Sequence, residues 1–298
     1  MGKYRKSFIY IILLSIVCWG ANLYYYKETR INSSLFIENY KDIPITGEYD
    51  ENNKKIVYID APLKLYYIQH AYDDKIAEIQ FPELSDRTAC INTEDVKGFG
   101  NLKLRCIDLS KTDWQQQFYY LLEEKYIKSD YFYITKMNYW TSNGKKYEVN
   151  LGKIYFINNL NKSDTKDAYI INRSNTSASN GEYYTKAVSD LSIIGVQSHV
   201  KDDVDKYVKL TINDKDINKT EFPVKVKKND VFKLKYNIDN DLAAIELHLN
   251  IKLNAGTVKT GIQVCADNDN AVSSMKMNIN TIKKLKNEGR EAHEVSSK

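Results

Sequence analysis

A chain of 298 residues, 43% hydrophobic and 28% charged, has the composition of a globular protein and room for two domains of ordinary size. Its formal net charge of +4 is too small an excess for a nucleic-acid-binding surface, which usually carries a dense basic face, so we expect no nucleic-acid partner. Tyrosine is abundant, with 24 residues. Either an AT-rich genome or a tyrosine-rich contact surface accounts for this abundance.

The N-terminal segment is apolar and flanked by basic residues. No charged residue occurs between Ser7 and Tyr26, and a helix of that length spans about 30 Å, the thickness of a bilayer core. Three basic residues precede it, and the tyrosines of residues 24–26 suit the headgroup region. We favour a retained transmembrane anchor over a signal peptide cleaved after Gly20. The basic flank predicts a cytoplasmic N-terminus and an exterior body in the cell envelope.

The rest of the chain predicts a mainly β protein with a β-rich α+β domain, one helix and an immunoglobulin-like β-sandwich. The first exterior domain contains short β-branched and aromatic runs and an amphipathic helix that starts with a capping box. Evenly spaced strands then indicate the sandwich. The predicted organisation is a cytoplasmic stub (1–6), the anchor (7–26), a stalk (27–54), the β-rich domain (55–158) with its helix (113–128), a linker (159–181), the β-sandwich (182–275) and a polar tail (276–298).

A hairpin is the strongest local signal. Asn143-Gly144 is the preferred pair for a two-residue turn. This loop length would place Trp140 opposite Tyr147, and Tyr133 opposite Ile154. Aromatic residues occur on both faces of the hairpin, so we expect both faces to be covered.

The cysteines suggest one disulfide. Cys90 and Cys106 are 16 residues apart, and in an oxidising compartment they are candidates for a bond. Two unpaired thiols are the alternative.

Candidate metal ligands and catalytic groups are sparse. Glu246 and His248 share one face of an alternating strand, and a solvated strand face is the favoured interpretation because no third ligand can be named. Asp267 and Asp269 lie in the run DNDN, where calcium is disfavoured because it would need a full loop of oxygen ligands. No nucleotide-binding, zinc-protease or nucleophile-elbow motif occurs, so we expect no cofactor and no enzyme activity.

Four lysines alternate with apolar residues on two runs around Asn229-Asp230. If these runs pair with each other, they form a lysine ladder on one surface, which protects a sheet edge or contacts an anionic polymer or headgroup surface. Protection is favoured. The four lysines are Lys225, Lys227, Lys233 and Lys235.

These features predict a single-pass membrane protein whose exterior β domains bind or assemble with another envelope or surface component. The alternatives are a membrane-tethered envelope hydrolase with a non-local active site, and a secreted ligand-binding protein if the N-terminus is cleaved.

Overall fold

The computed structural model describes residues 2–49, 55–59, 63–84, 86–109, 130–158, 169–177, 179–239, 242–255 and 258–295. The described chain is mainly β with one long apolar helix at its N-terminus, which confirms the predicted fold class. The predicted helix at 113–128 lies outside the described residues.

The helices of the described part are few. They are α1 (Gly2–Thr29), α2 (Lys201–Val204), a 3₁₀ turn (Ile217–Lys219), α3 (Asp269–Ser274) and α4 (Ile279–Asn287). The side chain of Asn278 caps α4 by accepting a hydrogen bond from the amide of Thr281 at 3.0 Å. Ile282 and Leu285 lie three residues apart on one face of α4, and both are fully buried.

The strands form three sheets. They are β1 (Leu35–Phe36), β2 (Glu38–Tyr49), β3 (Lys55–Ile59), β4 (Lys64–His70), β5 (Ile76–Gln80), β6 (Ala89–Cys90), β7 (Thr93–Phe99), β8 (Leu102–Asp108), β9 (Tyr131–Thr141), β10 (Lys146–Asn158), β11 (Tyr169–Thr176), β12 (Asn180–Ala187), β13 (Leu191–Gln197), β14 (Val208–Ile212), β15 (Lys215–Asp216), β16 (Val224–Val226), β17 (Val231–Ile238), β18 (Ala243–Ala255), β19 (Val258–Asp267) and β20 (His293–Glu294). Sheet A has the order β1-β4-β8-β7, and sheet C has the order β11-β12-β17-β14-β15.

Sheet B connects the two halves of the chain. Its order is β16-β13-β18-β2-β10-β9-β5-β6, with β3, β19 and β20 paired at the sides. β2 lies at its centre and pairs in parallel with both β10 and β18. The predicted stalk therefore contains the central strand of the largest sheet, and the two predicted exterior domains share that sheet.

The sheets stack in layers with an apolar core between each pair. Sheet A packs on sheet B through residues such as Tyr67 and Phe156. The opposite face of sheet B packs on sheet C through residues such as Leu247 and Phe232, which forms a β-sandwich. The other face of sheet A is covered by α4 through Ile282. Alternation along the strands explains this arrangement, because consecutive side chains point to opposite faces.

The structure differs from the predicted linker and tail, because parts of both form regular elements. Residues Tyr169–Thr176, placed in the linker, form β11 at the edge of sheet C. The predicted polar tail forms α4 and then closes against the N-terminal strands, where the amide of Phe36 donates to the carbonyl of Arg290 at 3.0 Å. In this segment, buried residues such as Ile282 are next to charged residues in sequence. The average composition of the segment is therefore polar although part of it is buried.

The hairpin forms with a longer loop than predicted. The amide of Thr141 donates to the carbonyl of Lys145, and Gly144 has a φ of +82°. The loop is therefore three residues long with a glycine in the left-handed region, a common alternative to the two-residue turn. The extra residue shifts the register by one, so Trp140 pairs with Lys146 and not with Tyr147. Beyond the irregularity between Asn150 and Ile154 the register shifts by two residues in the opposite sense, so Tyr133 lies opposite Tyr155 and not Ile154.

Candidate functional site

The N-terminal helix is long and apolar enough to cross a membrane. Residues Ser7–Thr29 of α1 contain a window of mean hydropathy 1.8, none of which is buried against the rest of the protein. Only the end of α1 meets the body. There the ammonium group of Lys283 lies 3.1 Å from the carboxylate of Glu28 and 3.0 Å from the hydroxyl of Tyr24. Thr29 is 2% exposed, so the helix enters the body without a free linker.

In sheet B, one edge of β18 changes its pairing partner along its length, and polar side chains lie at this change. We call this place the fork. One edge of β18 pairs with β2 as far as Glu246, and the same edge pairs with β13 from Asn250. The amide of His248 lies between these two ladders. The carboxylate of Asp42 accepts a hydrogen bond from that amide at 3.3 Å and another from the hydroxyl of Ser198 at 2.6 Å. Asp42 therefore satisfies a donor that the fork leaves outside both ladders.

Burial controls the ionisation of this carboxylate. The side chain of Asp42 is fully buried, and desolvation raises its pKa above the usual carboxyl range. The hydrogen bond from Ser198 and the nearby imidazoles of His199 and His248 oppose that rise. The imidazole of His199 lies 3.9 Å from the carboxylate and is itself partly exposed, so it links the buried acid to the surface.

Glu246 and His248 lie together, as predicted for neighbours on one strand face. The ammonium group of a lysine side chain already lies beside them. The carboxylate of Glu246 lies 3.1 Å from Nε2 of His248 and 3.7 Å from the buried ammonium group of Lys41. Asp267 lies opposite Glu246 in the strand register, and Asp269 begins α3. No three His, Cys, Asp or Glu side chains approach closely enough to hold a metal ion in the described part of the chain.

An aromatic cluster lies on the surface beside the fork. We use this name for Tyr131, Tyr133, Tyr155 and His199. The His199 ring is 4.7 Å from that of Tyr131 and 5.6 Å from that of Tyr155, while Tyr133 and Tyr155 are 5.4 Å apart. Tyr131 and Tyr133 are 45% and 48% exposed, which corrects the prediction that both faces of the hairpin are covered. Aromatic area combined with hydroxyl groups suits a protein contact.

An ion pair borders the aromatic cluster. The ammonium group of Lys153 lies 2.7 Å from the carboxylate of Asp203. Lys153 precedes Tyr155 by two residues on β10, so the two side chains share a face. Hydrogen bonding to Asp203 raises the pKa of Lys153, and burial raises the pKa of Tyr155. The aromatic cluster therefore has a charged rim beside it.

Two polar cavities lie elsewhere. One, of about 200 Å³, lies beside the hairpin loop and is bordered by Asp73, Asp74 and Tyr139. Burial raises the pKa of Tyr139. The other, of about 640 Å³, opens on the outer face of sheet C, where Glu182 and Lys235 form an ion pair of 3.2 Å. No histidine borders either cavity among the described residues.

The predicted lysine ladder does not form. Lys225 lies on β16, which pairs with β13 in sheet B, whereas Lys233 and Lys235 lie on β17 in sheet C. Lys227 follows β16, and its carbonyl accepts a hydrogen bond from the amide of Asp230. The turn therefore carries the chain from one layer of the sandwich to the other. It does not join neighbours in one sheet.

The candidate disulfide is also not formed. Cys90 and Cys106 carry thiols in the structure. Cys90 is exposed on the short strand β6 of sheet B, and Cys106 is buried on β8 of sheet A. The side chain of Cys106 packs in the core between sheet A and α4, on the side of sheet A that faces away from sheet B, which explains why proximity in sequence did not lead to a bond.

Sequence reasoning missed the aromatic cluster and the role of Asp42. Tyrosines two residues apart at the start of β9 were visible, but the register error paired Tyr133 with the wrong residue. Asp42 and His199 are 157 positions apart and meet only because β2 enters the centre of sheet B. Long-range pairing of this kind leaves no local pattern.

The fold and these sites together define a mainly β protein with one membrane-length N-terminal helix. No protein-family model and no curated protein matches the sequence. Among solved structures, it resembles one titled "D00-D0 domain of Intimin" at 7% identity and a TM-score of 0.20, covering 79% of this chain and 98% of that chain. At that TM-score the overlap gives no information on function, which is inferred below from the residues of this chain.

Proposed function

We propose that this is a single-pass membrane-anchored envelope protein whose exterior β body binds another envelope or surface protein, without enzymatic activity. The main support for the proposal is the exposure of α1 and the way its end packs on the body. Its apolar part is exposed along the whole hydrophobic window, and its end is packed on the β body. An exposed apolar helix of this length is stable only where lipid covers it. The basic residues of positions 3–6 favour a cytoplasmic N-terminus and an exterior body.

The aromatic cluster is the proposed contact surface. Its rings are already held against each other, so a partner would lose little side-chain freedom in binding them. The two exposed tyrosines offer apolar area, and Lys153 and Asp203 offer a polar rim, an arrangement typical of protein interfaces.

Site-specific cross-linking in cells tests the contact surface. A photoreactive amino acid replaces Tyr131 or Tyr133 in the full chain, and Tyr72, which is 73% exposed and lies on a different surface loop, is the matched control. We expect one defined cross-linked partner from positions 131 and 133, lost when Tyr155→Ala is added. Equal capture from position 72, or capture that survives Tyr155→Ala, contradicts the proposed surface.

The mature N-terminus tests the anchor. We expect full-length protein in the membrane fraction that resists extraction by alkaline carbonate. Protein that starts at Ala21 and is recovered in the soluble fraction would instead identify a secreted product, with the same β body and no anchor.

A further inference from the structure

We infer that the face of the body around the end of α1 binds the anionic headgroups of the membrane in which α1 is inserted. This inference rests on the membrane anchoring proposed above. It assigns a lipid-binding role to Lys97 and Lys276, which have exposed side chains and come from two separate parts of the chain.

The contacts between α1 and α4 fix which end of α4 is near the membrane. Lys283 contacts Tyr24 and Glu28, whereas Lys286, one turn later, donates to the carbonyl of Arg30 at 2.8 Å. The two helices therefore run in the same direction, away from the membrane. The first turn of α4 and the residues before it lie at the level of Tyr24, near the headgroups.

Lys276 lies just before α4, on this membrane-proximal side. The ammonium group of Lys97 lies 3.4 Å from the carbonyls of Ser274 and Met275, which places β7 beside the same segment. Phe99, at the end of β7, approaches Tyr25 of α1 with 5.9 Å between the ring centres. The turn after β7 and the segment before α4 thus surround α1 where it leaves the bilayer.

The charge of this face is basic. Lys27 and Arg30 on α1 are exposed there, in addition to Lys97 and Lys276. Glu28 lies on the same face, but its carboxylate is already paired with Lys283. An anionic membrane surface attracts basic residues that lie within a Debye length of it, and phosphate headgroups are the anions that a helix exit brings within reach.

Amide exchange of the full chain in lipid nanodiscs tests the inference. One set of discs contains phosphatidylcholine alone, and the other also contains phosphatidylglycerol. We expect slower exchange over residues 95–101 and 274–283 in the anionic discs, by about fivefold for each lysine engaged. The difference should disappear in the variant Lys97→Gln/Lys276→Gln and in high salt.

The variant Lys225→Gln/Lys227→Gln is the matched control, because both lysines are exposed on a different part of the body. It should keep the wild-type difference. Identical exchange in both lipids, or equal loss in the control variant, overturns the headgroup contact while leaving the anchor intact. Failure of the chain to remain in the discs at all would instead contradict the anchor.

Discussion

A side chain at Gly152 would collide with the backbone of Asn39, its partner across the parallel pairing of β10 and β2. A Cβ atom there would lie 2.5 Å from the carbonyl oxygen and 3.1 Å from the amide nitrogen of Asn39. Gly152 also has a φ of +92° and lies in an irregularity between β9 and β10. Glycine at a bulge allows two strands to approach where any other residue is strained.

Gly152→Ala should therefore destabilise the protein strongly. Backbone strain and overpacking together give an expected loss of about 2–5 kcal/mol in the free energy of unfolding. Two control variants separate these effects. Position 144 has open space around it but a positive φ, so Gly144→Ala should lower the free energy of unfolding by about 1–2 kcal/mol. Position 195 has open space and no positive φ, so the free energy of unfolding of Gly195→Ala should stay within about 0.5 kcal/mol of the wild-type value. Denaturant unfolding measures all three, and equal effects would refute the proposed collision.

Asp42 should make the protein more stable as the pH falls from neutral. Its pKa is raised in the folded state, so the folded protein binds this proton at a higher pH than the unfolded chain does. The free energy of unfolding then increases as the pH falls from the raised pKa to the ordinary carboxyl value near 4, by about 1.4 kcal/mol for each pH unit that separates these two values. Asp42→Asn should remove this contribution.

Unfolding of wild type and Asp42→Asn between neutral pH and pH 4 measures the difference. Asp203→Asn is the control, because its carboxylate is paired with Lys153 at the surface, and it should retain the contribution of Asp42. His199 and His248 also face Asp42, which is why the comparison is between variants. A wild-type slope in Asp42→Asn would rule out this role for the buried carboxylate.

The two cysteines should differ in reactivity. Cys90 is exposed and should react with a thiol reagent in the native, unreduced protein. Cys106 is 6% exposed and should react only after unfolding. Mass spectrometry of peptides locates the label, and Cys90→Ser identifies the fast site. Failure of both residues to react until a reductant is added would instead support the disulfide predicted from sequence.

Lys283 should hold the end of α1 on the body. Lys283→Met removes both its ion pair with Glu28 and its contact with Tyr24, so the last turn of α1 should open more often. Faster amide exchange of Arg30, whose amide donates to the carbonyl of Tyr26, reports that opening. Lys284→Met lies next to it on α4 with an exposed side chain, and it should leave this exchange unchanged. Faster exchange in both variants would point to general destabilisation of α4.

Local patterns predicted the elements, and long-range pairing decided their arrangement. The alternation from Ile245 to Leu253 predicted a strand with one buried face, and those residues are buried between sheets B and C. The uncharged run after Ser7 likewise predicted a membrane-length helix. Both signals depend only on neighbours in sequence.

The candidate sites depended on neighbours that are far apart in sequence. β2 has a polar composition that resembles a stalk, yet parallel pairing on both sides places Lys41 and Asp42 inside the protein. A one-residue change in loop length altered which residues face each other across the hairpin. The turn at Asn229 could not show that β16 and β17 belong to different sheets.

In the membrane-anchored state proposed above, the packing of α1 on α4 also limits how the body can meet the proposed partner. A body on a flexible tether sweeps a volume that depends on the length of the tether, whereas a body fixed to its helix can only spin about the membrane normal and diffuse in the plane. Its aromatic cluster then remains at one height above the lipid. A partner can contact the cluster only if its own binding surface lies at that height. The height of the partner's surface above the lipid therefore matters as well as its surface chemistry.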